Sequence, residues 1–423
     1  MKPSLTKFNP LYSIIFVTAG YAVRHHYRSI TIRGRENLPE GEAYILAPNH
    51  QNALMDPLVI LQLTRKPVVF LARADIFRKP LLRKVLTMLR MMPVYRIRDG
   101  RDNLSRNDEI FSRSREVLEA GVPLCLMAEG THNDKHQLLP LVKGMFRIAG
   151  GTQKELGNRP LYIVPVGLDY DDYQRPYSSV CVDVGKPIDV RQFMAEYETD
   201  EPLALNHMRK ALDAALKAQM HQIDSKEHYD EEYAYAHLKT QEYLEAHGRE
   251  ESLANDAWGR YKARQRISAE VNQLTDPAAR QQVWEQGADF LARCRKRGVP
   301  LWFASRNFGM VRAFIDIAVV VLLVLLLWDI LGWVLLANPI IFLPTHLIAK
   351  KKIKDPQFRS SVNWGIRYGF SLVWMLLLFI VGLFVLGPAK AVVLLLLGLI
   401  SAHVATKSFV LLRDAYYRFK LAK

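Results

Sequence analysis

The sequence predicts an α/β fold: a central mixed sheet of about seven strands flanked by helices, followed by a helical appendage and C-terminal transmembrane or re-entrant helical hairpins. Three observations carry that expectation. Short β-rich runs alternate with helical stretches between residues 29 and 190, which is the pattern of a sheet buried between helix layers. From Leu203 to Arg297 the chain turns charged, Ala-rich and poor in Gly and Pro. Two long apolar stretches then run from about Ala313 to Leu343 and from Tyr368 to Ala402. The organisation read from these shifts is an interfacial helical segment at 1–28, an α/β domain at 29–202, a helical appendage at 203–300 and a membrane domain at 301–423.

Bulk composition narrows the partners. A chain of 423 residues can bury a substantial core, and its net charge of +15 is strongly basic. No zinc-finger spacing, RNA-binding signature or basic-aromatic repeat accompanies that charge, so nucleic acid is not the expected partner. An anionic membrane surface or phosphorylated substrates fit better. Cys125, Cys181 and Cys294 are odd in number and far apart, so neither a disulfide framework nor a zinc site is expected.

Taken in order, Leu11–Val23 is apolar and ends on Arg24, His25, His26 and Arg28. It falls short of the roughly 20 residues of a span, and its basic flank argues against a cleaved signal peptide. A helix on the membrane interface and a helix packed on the protein core both satisfy the pattern. Strands are expected at Ile30–Ile32 (an edge strand), Tyr44–Ala47, Val68–Leu71, Pro93–Tyr95, Leu124–Met127, Tyr162–Val166 and Val180–Val184.

The second of these strands leads into the most informative stretch, Asn49-His50-Gln51-Asn52-Ala53-Leu54-Met55-Asp56-Pro57. Pro48 ends the strand, leaving a histidine at its carboxyl end with a carboxylate six residues on. A regular helix would put positions i and i+6 on different faces. A curved loop entering a helix near Asp56-Pro57 would return the carboxylate to the ring. His50 would then have one ring nitrogen held and the other open to a proton. The same residues also suit a capping loop with a surface histidine.

Later strand ends add charge. Arg73 follows Val68–Leu71, and Arg96 and Arg98 follow Pro93-Val94-Tyr95, where a solvated arginine pair at a sheet rim is the alternative reading. Leu124–Met127 runs into Ala128-Glu129-Gly130-Thr131-His132, and Leu138-Leu139-Pro140-Leu141-Val142-Lys143-Gly144 follows. Glu129 can organise nearby arginines, Gly130 permits a sharp exit from the strand, and Lys143 opens a helix. In open α/β sheets the working site gathers at such carboxyl ends.

In order and spacing these elements resemble the glycerophospholipid acyltransferase superfamily, over about residues 29 to 190. Its first motif is a His and an Asp separated by four residues. Here five intervene, which is similar to the branch that acylates glycerol 3-phosphate or dihydroxyacetone phosphate. Ala128 and His132 depart from the usual Pro-Glu-Gly-Thr-Arg segment, and the second change removes a common phosphate ligand. The resemblance implies His50 as general base and Asp56 as its orienter. It implies Arg96 and Lys143, with Arg73, on the acceptor phosphate, and Glu129, Gly130 and Thr131 as substrate-binding. Ile163-Val164-Pro165-Val166 resembles the fourth motif. No metal and no cofactor are implied; the co-substrate is a thioester of coenzyme A or of acyl carrier protein. The implied reaction is acyl transfer to glycerol 3-phosphate or dihydroxyacetone phosphate, with lysophosphatidate as the alternative acceptor. A hydrolase using Thr131 lacks a nucleophile elbow, and a lipid-binding scaffold would not need both His50 and Asp56.

Breaks and basic clusters organise the C-terminal part. The first apolar stretch is interrupted around Asp329–Gly332 and at Asn338-Pro339, the second at Gly387-Pro388. Basic clusters lie before (Arg293, Arg295, Lys296, Arg297), between (Lys350, Lys351, Lys352, Lys354) and after them (Lys407, Arg413, Arg418, Lys420). If all three are cytoplasmic, each stretch enters and leaves on one side, as a hairpin with short arms. The expectation is an integral membrane protein with its α/β domain on the cytoplasmic face.

Overall fold

The structure is a computed structural model and describes residues 5–6, 9–64, 66–95, 106–247, 256–306, 310–326, 345 and 351–422. The chain divides into two compact units. One comprises the chain up to Tyr21, Ile30–Tyr170 and Val180–Gln222; the other comprises Ala22–Ser29, Asp171–Ser179 and the chain from Ile223 on.

The first unit is built on a mixed sheet. After helix α1 (Pro10–His26) come β1 (Ser29–Arg33), β2 (Ala43–Pro48), α2 (Met55–Ile60), β3 (Val69–Arg73), α3 (Pro80–Met88) and β4 (Met91–Val94). They are followed by α4 (Arg106–Glu119), β5 (Leu124–Cys125), α5 (Lys143–Leu156), β6 (Leu161–Tyr170), β7 (Ser179–Val184) and β8 (Ile188–Asp189). Helices α6 (Met194–Thr199) and α7 (Glu201–Ala218) complete the unit. Strand order is β1-β7-β6-β2-β5-β3-β4, with β8 paired to β6 off that path. The edge position of β1 and all seven expected strands are present; the two-residue β8 is additional.

β2 is central because all six of its residues are buried, so both faces are covered. It runs parallel to β5 and β6, and β3 runs parallel to β5 and β4, whereas β7 and β8 are antiparallel to β6. Ala43, Ile45 and Ala47 face one core together with Leu124, Leu161, Ile163, Met145, Phe146, Met208 and Leu212. Successive side chains of a strand point to opposite faces, which is why these alternate residues share one helix layer. Helix α7 contributes Leu205, Met208, Leu212 and Leu216 to this core. The α/β unit therefore extends to Gln222, past the linear boundary at 202.

Helix α1 has two faces. Tyr12, Ala19 and Val23 are buried, while Leu11, Ile14, Val17 and Tyr21 form an exposed apolar ridge at helical spacing.

The second unit is helical: α8 (Tyr229–His247), α9 (Ala257–Gln273), α10 (Pro277–Arg297), α11 (Leu301–Ala304), α12 (Met310–Leu326), α13 (Arg359–Leu386) and α14 (Pro388–Ala422). Gly287 lets α10 approach α8: a Cβ there would lie 2.0 Å from the Glu231 carbonyl oxygen. Gly387, at φ 82°, ends α13 at the expected Gly-Pro break, and α14 begins at Pro388. Past the turn, Gly382 meets Ala391, so α13 and α14 form a hairpin. Its arms are longer than the expected short ones, at 28 and 35 residues, because neither polar flank contains a Gly or Pro that ends the helix. Both helices are long and apolar enough to cross a membrane. Along α12 and α14, Asp316 pairs with Arg418, both buried, and with Arg312 at 3.2 Å; Phe314 packs edge-on against Phe419. The expected breaks at Asp329–Gly332 and Asn338-Pro339 lie outside the described residues.

Candidate active site

Three parallel strands deliver the site. His50 follows β2, Glu129 follows β5, and Tyr170 ends β6, which continues four residues past the Pro48–Val166 register. Beyond Pro48, Asn49 takes over the pairing through its side chain. Its amide donates to the Leu168 carbonyl at 3.1 Å, and its Oδ1 accepts from the Leu168 N–H at 2.6 Å. The loop is thus fixed before His50 begins.

The five residues between His50 and Asp56 close a tight loop with Ala53 in the left-handed region at φ 38°. Asp56 then falls in the first turn of α2, and its Oδ2 sits 2.7 Å from His50 Nδ1. The same oxygen accepts from the backbone N–H groups of Gln51 and Asn52, each at 2.8 Å. Oδ1 accepts from the Tyr170 hydroxyl at 2.5 Å. A fully buried carboxylate with four donors is satisfied without a cation beside it. The contact with Asp56 orients His50 so that Nδ1 is the bonded nitrogen and Nε2 the open one. The His50 side chain keeps 15% of its exposure. His132 packs edge-on against it at 5.6 Å between ring centroids.

Glu129 supports the loop from the other side. Its carboxylate accepts from the backbone N–H of His50 at 2.8 Å and of Leu139 at 2.9 Å. Burial pushes its pKa up to about 7, against the pull of those two N–H groups. The sequence suggested that Glu129 organises arginines; among the described contacts it organises backbone instead. Gly130 turns the chain at φ 63°, where a Cβ would lie 2.6 Å from Val142 Cγ1. Thr131 follows, half-buried, and the Asn133 N–H returns to the His50 carbonyl at 2.8 Å. Further along, His136 Nε2 lies 3.0 Å from Asp169 Oδ1 with the His221 ring beside it, all three buried, and this pair pins the loop to β6. These three are the one group among the described residues whose ligand atoms approach within 4.8 Å, as a metal would require.

The cationic residues come from different elements. Lys143 is exposed at the first position of α5. Arg73, at the end of β3, forks onto Asp75, with Nε 3.1 Å from Oδ1. Arg96 lies outside the described residues. The sequence reading missed Tyr170, because it ended β6 at Val166. The signal was present: Val166, Leu168 and Tyr170 continue the alternation, and a buried tyrosine hydroxyl requires a partner.

Residues 29–169 match the model of the family described as Acyltransferase. That stretch is an acyltransferase domain by this match and makes up about a third of the chain. Chloroplastic 1-acyl-sn-glycerol-3-phosphate acyltransferase LPAT1 of Arabidopsis thaliana is 26% identical over 126 residues, 30% of this chain and 34% of the relative. Lyso-ornithine lipid O-acyltransferase of Brucella abortus is 29% identical over 139 residues, 33% and 49% of the two chains. The solved 1-acyl-sn-glycerophosphate acyltransferase PlsC from Thermotoga maritima has a TM-score of 0.35 and 19% identity, covering 51% of this chain and 81% of that one. The chain spans about a third to a half of the length of the curated relatives it matches. The acyltransferase domain therefore holds His50, Asp56, Arg73, Glu129, Gly130, Thr131 and Lys143, and runs almost to Tyr170.

Proposed function

We propose that this chain is a membrane-bound O-acyltransferase that moves a fatty acyl group from a thioester to the hydroxyl of a glycerol-phosphate acceptor. The observation that carries the reading is the buried Asp56 carboxylate on His50 Nδ1 at 2.7 Å, which leaves Nε2 as the ring nitrogen available for a proton. Nε2 takes the proton of the acceptor hydroxyl as its oxygen attacks the thioester carbonyl. The carbon–sulfur bond then breaks, and the proton passes from Nε2 to the departing thiolate. Asp56 holds the ring's tautomer and stabilises its positive form, as in other carboxylate–histidine pairs. Lys143, Arg96 and Arg73 supply the charge that positions the acceptor phosphate, an arrangement that favours the planar fork of arginine. Glu129, Gly130 and Thr131 shape the floor of the acceptor site. No metal or cofactor enters this scheme, and the donor is a thioester of coenzyme A or of acyl carrier protein.

Glycerol 3-phosphate or dihydroxyacetone phosphate is the first acceptor proposed, on the five-residue spacing of His50 and Asp56. Lysophosphatidate is the second, because matched relatives bear the name of 1-acylglycerol-3-phosphate acyltransferases. In this reading the catalytic domain lies on the cytoplasmic face and α13 and α14 lie in the bilayer. Purified full-length protein offered the three acceptors side by side, with each type of donor, tests the proposal. Transfer to one phosphorylated acceptor is the expected result and selects between the readings. Water as the sole acceptor would make the protein a hydrolase, and no turnover would make it a scaffold.

A further inference from the structure

Four arginines of the helical unit share two carboxylates. Asp171 Oδ1 and Oδ2 each take one guanidinium at 3.3 Å, from Arg264 on α9 and from Arg306 just after α11. Asp414 on α14 is shared in the same way by Arg28 and by Arg413, the latter at 3.0 Å. The two clusters meet at Trp302, whose ring is faced by Arg306 at 4.7 Å and by Arg413 at 5.2 Å. Among the described ion pairs, then, two carboxylates serve these four guanidiniums, and arginine does not shed its proton to relieve a surplus. Arg260, one turn before Arg264 and also buried, adds its own field.

One of the two deeply buried arginines shows the strain. Arg306 is 6% exposed, and its Nε has no hydrogen-bond partner among the described residues. Burial first, and then the charge of Arg260, push its pKa down to about 9. Guanidinium groups buried beyond the reach of enough carboxylate are costly, and an anion is the group that would complete them. Their planar forks match phosphate oxygens. The cluster opens at Arg28, whose side chain is 30% exposed. A tryptophan beside arginines is the composition of a headgroup-level site.

We propose that Arg28, Arg264, Arg306 and Arg413 form a binding site for a phosphate group, one that no step at His50 uses. An anionic lipid headgroup and free phosphate share this chemistry. The experiment uses the full chain in detergent and reads the unfolding midpoint on titration with short-chain phosphatidate or with inorganic phosphate. A rise with phosphatidate alone identifies a lipid site, and a rise with both identifies a site for free phosphate as well. In Arg28→Gln, which alters the more exposed arginine, the half-saturating concentration should increase roughly tenfold, the effect of one lost charge-assisted contact. Arg306→Gln should act in the same direction. Lys143→Ala, which probes the acceptor site, should leave the titration unchanged. In phosphate-free buffer Arg28→Gln should melt above the wild type, because the surplus charge is relieved. The proposal fails if neither probe raises the midpoint. It also fails if both arginine variants titrate like the wild type, or if Lys143→Ala alone abolishes the shift.

Discussion

Tyr170 gives its hydroxyl hydrogen to Asp56 Oδ1 at 2.5 Å, so the carboxylate that orients His50 is itself held from the neighbouring strand. A hydrogen bond to a charged group is worth about 1.5–3 kcal/mol. Tyr170→Phe should therefore lower turnover by roughly ten- to a hundredfold with little change in either Michaelis constant. Asp56→Asn should cost more, and His50→Ala should abolish transfer while the protein still folds. Steady-state kinetics on the three variants gives the ranking. Near-normal turnover of His50→Ala would remove the proposed base.

Glu129 sets a pH dependence of stability. A free glutamate titrates near 4.5 and Glu129 near 7. Between those values the folded chain keeps a proton that the unfolded chain has released. The contribution is complete below the lower value and is lost as pH rises through the upper one. The unfolding midpoint of the wild type relative to Glu129→Gln should fall across this window. A difference that stays flat would mean that Glu129 is already ionised in the folded chain.

Gly130→Ala should destabilise the protein by about 1–3 kcal/mol, since it places a Cβ in left-handed backbone and against Val142. Adding Val142→Ala removes the clash but not the backbone strain, so the double variant should recover only part of the loss. Thermal unfolding of the two variants separates these contributions. Full recovery would assign the whole cost to the contact.

Lys143→Ala should raise the Michaelis constant for the phosphorylated acceptor about tenfold and leave that of the thioester unchanged. Arg96→Ala should act in the same direction, and Arg96→Lys more weakly, because the charge remains and the fork is lost. If both residues grip one phosphate, the double variant will be less than additive. Two-substrate kinetics decides this: a defect confined to the thioester would move these residues to the donor side.

Single cysteines placed near Arg295, Lys351 and Lys420 should all react with an impermeant maleimide from the same face. The native Cys125, Cys181 and Cys294 are buried, which keeps the background low. Opposite labelling near Lys351 would exchange the first hairpin for a single span.

The strands and the His50–Asp56 pair were legible in the sequence because each depends on local chemistry. An apolar run stopped by Pro48 fixes a strand end, and Asp56-Pro57 fixes a helix start. The partner of Tyr170 was not legible, since it lies 114 residues away and only the parallel register of β2 and β6 brings the two together. Glu129 was picked out as a site residue, but its backbone partners at His50 and Leu139 follow from loop geometry that spacing does not encode. Helix α7 looked like the start of the charged appendage because its outer face is charged. Its inner face, Leu205 to Leu216, belongs to the sheet's core.

The buried pair of Asp316 and Arg418 also sets an order of events during synthesis. Asp316 emerges 102 residues before the arginine that neutralises it. At about 5–20 residues per second that interval lasts roughly five to twenty seconds. Throughout it, helix α12 carries a carboxylate whose buried partner does not yet exist, and an unpaired buried charge costs several kcal/mol. Arg312, one turn away, offers interim cover at the exposed side. Helix α12 can therefore settle into its final packing only after α14 has left the ribosome, so the later helix locks in the earlier one.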